Sequence, residues 1–269
     1  MSIVLNISAL AALVAAAFVP MRQGASRDGA FWAVVVLAVV GPAAWAASMM
    51  VGQAWQTSLS LALLVSIAAS AALFAVVAAV SPQAWRLAPL LMPYLAGLGV
   101  VASLSQGLER AAKPLAGGAP AAWLDLHIVI GVLTYALLTL AAVASLGAFL
   151  QERALKRKSP TQLTRMLPSV ADGERLGGAL LLASEVVLGL GLATGMGTLH
   201  FETGALWKLD HKTLLSLLAF LLIGLLLIGH RVCGVRGRAA ARVVLVAYLL
   251  LTLAYPGVKF VTQVLSPGQ

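Results

Sequence analysis

Polar positions along this chain are confined to short clusters, and between them lie eight long apolar stretches, at about 3–20, 31–52, 59–80, 88–106, 123–150, 177–198, 212–230 and 241–262. Roughly 20 apolar residues wound as an α-helix cross a hydrocarbon layer of ~30 Å. Membrane strands would show in-out alternation over segments of ~10 residues, whereas these stretches are continuously apolar. The pattern predicts an all-α, polytopic membrane helix bundle with eight transmembrane helices, forming a single integral-membrane domain over 1–269. Most connections are short, so consecutive helices should be antiparallel neighbours. No strong internal repeat or separate soluble domain is evident.

The polar clusters also carry orientation. Arg22 and Arg27, then Arg86, then Arg153, Lys156, Arg157, Lys158, Arg165 and Arg175, then Arg231, Arg236, Arg238 and Arg242 all fall in odd-numbered connections or at their edges. The even-numbered connections hold only Arg110, Lys113, Lys208 and Lys212. Basic residues accumulate on the cytoplasmic side, which places the odd connections inside and both termini outside. No basic residue precedes the first apolar stretch, so it reads as a span that starts outside and not as a secretory signal. The basic run after the fifth stretch is expected to continue that helix past the membrane and to meet anionic headgroups. Gly41-Pro42, Pro93 and Pro256-Gly257 are expected to kink spans two, four and eight.

Composition sharpens the picture. Hydrophobic residues make up 61% of the 269 and charged residues 10%, with a mean hydropathy of +0.98. Soluble domains carry roughly 25% charged residues, so a water-soluble fold is excluded. The net charge of +9 fits basic loops against anionic lipid in a bacterial inner membrane, not nucleic-acid binding. Cys233 is the single cysteine, which excludes an internal disulfide and a Cys-x-x-Cys-His haem attachment. No phosphate loop, nucleophile elbow or His-Glu-x-x-His motif is present, and the chain is not expected to be an enzyme.

Chemistry concentrates in the segment 198–213, TLHFETGALWKLDHKT, on the outer side of this topology. His127 and His211 each open a predicted helix just after an aspartate, Asp125 or Asp210. The helix dipole disfavours an imidazolium there, and neutral imidazole is the form that binds a metal. Asp210 can cap the seventh span or orient an imidazole. Two histidines at one depth suit a haem iron, which needs two axial ligands and an apolar slot. Trp123, Phe201 and Trp207 could wall such a slot. A tetrahedral metal site would need His200, Glu202 or Asp210 as well, and plain interfacial anchoring of these side chains needs no ligand at all. Glu185, inside span six, is a carboxylate at membrane depth: a proton or cation relay, a haem-propionate neighbour, or a protonated acid bonded across helices. His230 and Arg231 cap the inner end of span seven.

Several segments together carry a family resemblance. They are WLDLH at 123–127 followed by Thr134 and Tyr135, the basic run QERALKRK at 151–158, LPS at 167–169, and DGER at 172–175. To these add WKLDHKT at 207–213, GVRGR at 234–238, and AYPGVKF at 254–260. In this order the chain resembles the cytochrome c assembly protein family, haem-handling membrane proteins of the CcsA/CcmC type. It is most similar to their short HemX/YpjD-like branch, and the likeness is strongest over 123–265. The resemblance implies an all-helical bundle holding non-covalent, b-type haem near its outer face, with His127 matching an external ligand histidine. Where relatives carry a second histidine after the last-helix motif, this chain has none, and the tryptophan-rich signature is reduced to Trp207. His211 is taken as the second ligand on its position, with His200 as the alternative.

The expected function is therefore haem handling in the membrane. His127 and His211 ligate the metal, Trp123 and Trp207 wall the pocket, and Asp210 orients His211, with haem, the bilayer and a membrane protein as partners. The alternatives are a haem-free scaffold or regulator acting through the basic 151–176 segment, and a small-molecule permease using Glu185.

Overall fold

A computed structural model describes residues 2–18, 26–50, 58–109, 118–208 and 210–261. Arg22, Arg110, Lys113, the ends of spans one, two and eight, and the final 262–269 lie outside the described residues. All regular structure among the described residues is helical: α1 (Ser2–Phe18), α2 (Gly29–Met50), α3 (Leu59–Val80), α4 (Ala88–Leu108), α5 (Ala121–Lys156), α6 (Gln162–Met166), α7 (Val170–Thr203), α8 (His211–Val232) and α9 (Arg238–Thr252). A π-helical turn, Leu253–Gly257, continues α9 into Val258–Phe260.

Seven of these helices are long and apolar enough to cross a membrane, and the protein is a multi-pass membrane protein. The first helix is shorter, apolar over Asn6–Phe18. Its 17 residues span about 25 Å at ~1.5 Å each. The 36 residues of α5 span about 54 Å on the same rise, well beyond the ~30 Å core. The basic run Arg153–Lys156 therefore lies on a helical extension past the apolar span, as expected. The connection after it is not a loop throughout. Thr161 and Thr164 form a reciprocal capping box that starts α6.

The helices close into two four-membered rings. In the first, α1 packs on α2, α2 on α3, α3 on α4, and α4 back on α1. The second joins α5, α7, α8 and α9 in the same cyclic way, and α3 packs against α5 to link the rings. One apolar cluster runs through both, from Leu13 and Phe31 to Val244 and Leu251. Large apolar side chains such as Val80, Leu104 and Leu225 remain exposed while alanines fill the interior. Lipid-facing helices carry this distribution, because hydrocarbon leaves no penalty on an outward Leu and packing selects small residues inside.

Several buried polar groups bond between helices. Where the rings meet, the hydroxyl of Tyr94 (α4) bonds those of Tyr248 (α9) and Tyr135 (α5), Tyr248 donates to Tyr135 at 3.0 Å, and Thr139 donates to Tyr248 at 3.3 Å. At one ring end, Glu109 accepts from the backbone N–H of Ser60 at 2.6 Å and the hydroxyl of Ser58 at 2.7 Å. It thereby completes the N-terminal cap of α3.

The prolines sit differently in their helices. Helices α2 and α4 run on unbroken through Pro42 and Pro93. Only Pro256 changes the helix type, widening it to a π turn. A proline in a bundle frees one carbonyl, which a neighbouring helix or a local change in winding can satisfy.

Candidate functional site

The most extensive helix pairing among the described residues is α5 with α7, and a run of glycines on α7 lets the two approach. A Cβ on Gly191 would lie 3.5 Å from Ile130, one on Gly195 would lie 3.2 Å from Cε1 of His127, and one on Gly197 would lie 2.5 Å from Cζ2 of Trp123. Toward the other end, Gly173 and Gly177 admit Ala148 and Ser145 equally closely. Small residues at such spacing let two backbones approach and let larger side chains lie flat between them.

His127 and Trp123, one helical turn apart on α5, both reach Thr194 of α7. The Trp123 indole Nε1 donates to the Thr194 carbonyl at 3.2 Å. His127 Nδ1 lies 2.9 Å from Thr194 Oγ1. That hydroxyl has a single proton, and it donates to the carbonyl of Leu190 at 3.0 Å or of Gly191 at 3.1 Å. With its proton on either carbonyl the hydroxyl accepts from the imidazole, and in that tautomer Nδ1 carries the proton and Nε2 keeps its lone pair. Orientation of a ligating imidazole through its other nitrogen is the usual arrangement at metal sites. Phe201 meets Trp123 edge-on at 5.9 Å between ring centroids.

The remaining expected residues stand at the same end of the ring but apart from this pair. Asp210 caps α8, its carboxylate accepting from the backbone N–H of Thr213 at 2.8 Å. Partial burial works to raise its pKa. Hydrogen bonds from Thr213 and the charges of Lys212 and Lys208 outweigh this and hold the carboxyl below its ordinary range. His211 is exposed as the first residue of α8, and Trp207 is exposed on the connection before it. His200 Nδ1 lies 3.2 Å from the carbonyl of Gly204 beyond the end of α7. Because α8 packs on α7 and α9, not closely on α5, it occupies the corner of the ring opposite His127. His127 leans on Thr194 of α7, and His211 is exposed at the start of α8.

Among the described residues no group of three or more His, Cys, Asp or Glu comes together, and a tetrahedral site from His200, Glu202 and Asp210 is not assembled. Glu185 packs its Oε1 3.0 Å from where a Cβ on Gly224 of α8 would stand, and its Oε2 is buried without a partner among the described residues. Sequence reasoning missed Thr194, Gly195 and Gly197. Their signal is the glycine-dense run GLGLATGMG at 189–197, unusual even for a membrane helix.

For a haem, the donor set fits on the α5 side. An imidazole whose Nδ1 is engaged by Thr194, backed by Gly195 and beside an aromatic pair, would suit a haem iron.

Comparison with known proteins bears on these features as a whole. The chain is 57% identical over 269 residues, 98% of each chain, to an uncharacterized 28.8 kDa protein in a nifR3-like 5′ region of Azospirillum brasilense. No solved structure matches it. The family model for the cytochrome c assembly protein matches residues 4–266, so nearly the whole described helical frame is covered. The chain belongs to the cytochrome c assembly protein family.

Proposed function

We propose that this protein binds haem at the end of the α5–α7–α8–α9 ring where His127 lies, and handles it for cytochrome c assembly. Family membership supports a haem-handling role in cytochrome c biogenesis. The observation that carries the residue-level reading is the His127–Thr194 contact, which engages Nδ1 of the imidazole and not Nε2. Haem, when bound, would supply an iron that takes imidazole nitrogen. In this reading His127 would hold it from α5, and His211, at the start of α8, is the proposed second ligand. Trp123 and Trp207 exclude water from the ring face, and Asp210 fixes the start of the helix that carries His211. Lys208 and Lys212 offer cations to the propionates.

The accompanying topology has eight crossings, both termini outside, and the His127 end facing outward from a bacterial inner membrane. The chain binds and positions haem without chemical turnover, and passes it to a membrane protein partner. Protein purified after expression with ample haem is expected to show a Soret band and about one haem per chain by pyridine haemochrome. A colourless protein that also fails to take up added haem would refute the reading.

A further inference from the structure

At the opposite end of the same ring, some 18 residues further along α5 than His127, a cavity of about 500 Å³ opens between α5, α7, the end of α8 and the start of α9. Its walls are apolar, with Phe149, Leu181 and Val244 among them. Its mouth is cationic: Arg175, Arg231 and Arg236 are exposed there and His230 is half-buried. Among the described residues none of these four has an ion-pair or hydrogen-bond partner. The carboxylate in the lining, Glu174, accepts through Oε1 from the backbone N–H of Gly237, also in the lining, at 3.0 Å.

That bond fixes the loop carrying Arg236. Gly237 has a positive φ of 64°, and a Cβ there would lie 3.1 Å from the Glu152 carboxylate. The position therefore requires glycine on both conformational and spatial grounds. The loop is held against α7, and its arginine stands at the cavity mouth.

Unpaired guanidiniums over an apolar hollow, at the level where helices leave the membrane, fit one kind of molecule: an anion with an apolar body. We infer that this cavity is a binding site for an anionic phospholipid, the phosphodiester held by Arg175, Arg231 and Arg236 and the glycerol and upper acyl chain lying along Phe149, Leu181 and Val244. Guanidinium groups suit phosphate oxygens in paired geometry, and basic pockets between helices on the cytoplasmic side are recurrent lipid sites. The site is independent of the haem reading, since it lies at the other end of the ring and shares no residue with it.

The test uses the full chain in detergent micelles, with native mass spectrometry after exchange into phosphatidylglycerol or phosphatidylcholine of the same acyl chains. The wild type is expected to retain one phosphatidylglycerol per chain and no phosphatidylcholine. Arg175→Ala with Arg236→Ala should weaken retention about twentyfold, at roughly fivefold per arginine. Arg157→Ala with Arg165→Ala removes the same charge outside the cavity and should leave retention within about twofold. Gly178→Leu supplies a second arm. Gly178 lines the cavity and a Cβ there meets nothing within 4 Å, so leucine fills the hollow without a clash at Cβ and should abolish retention while the protein stays folded. Millimolar inorganic phosphate should not displace the lipid. Equal loss in the two double-arginine variants, full retention by Gly178→Leu, or displacement by phosphate alone would each overturn the proposal.

Discussion

The indole of Trp123 lies across Gly197 so closely that a methyl group on that glycine would stand 2.5 Å from Cζ2. The aromatic wall beside His127 thus depends on the absence of a side chain 74 positions later in the sequence, on the facing helix.

Gly197→Leu should push Trp123 off α7 and break its bond to the Thr194 carbonyl. Overpacking of this kind costs about 1–3 kcal/mol, and thermal unfolding in detergent should shift down accordingly. Gly131→Leu on α5, where a Cβ meets nothing within 4 Å, should leave the unfolding temperature nearly unchanged.

Thr194 positions His127 and is not itself expected to touch iron. Thr194→Val removes the acceptor for Nδ1–H and should weaken haem affinity roughly 10–100-fold, the usual effect of losing such a partner. Thr194→Ser keeps the hydroxyl and should restore it. Because a purely structural role would not alter the ligand field, the ferric spectrum of the valine variant should also shift toward high spin.

Asp210 offers a pH test. Its carboxyl sits below its ordinary range, so the cap on α8 contributes fully above the ordinary carboxylate value of ~3.9 and is lost as pH falls through the lower folded value. The unfolding temperature of the wild type should therefore fall on acidification below about pH 4, more steeply than that of Asp210→Asn, whose amide caps at every pH. Asp210→Ala should cost about 0.5–2 kcal/mol near neutrality.

Cys233 is the single cysteine and is exposed at the end of α8. In intact spheroplasts a membrane-impermeant maleimide should leave it unlabelled and should label it after permeabilisation. A Cys233→Ser chain carrying His200→Cys should show the reverse. Labelling of Cys233 from outside would invert the topology.

Much of the helical frame was legible in the chain, because an uninterrupted apolar stretch in a membrane protein has few other ways to satisfy its backbone. The ends were less so. Helix α7 starts at Val170 and not near 177, since charged residues continue a helix as well as apolar ones once it has left the lipid. The pairing of α5 with α7 was hidden, as glycines in membrane helices are common and their partner is set by tertiary topology. For the same reason His127 was readable as an outward histidine while Thr194, its anchor, was not. The four-membered ring sets the helices bearing His127 and His211 at opposite corners, a relation no spacing in the chain shows. His230 read as a helix cap, and it also lines a cavity that only the folding of four segments creates.

The central claim is tested most directly by titrating haem into the purified wild type and into His127→Ala, His211→Ala and His200→Ala, and recording the ferric spectra. The account predicts a low-spin Soret spectrum for the wild type and for His200→Ala, a high-spin spectrum for His211→Ala, and at least tenfold weaker binding for His127→Ala, about 1.4 kcal/mol. A His127→Ala protein that binds haem with the affinity and spectrum of the wild type would contradict it.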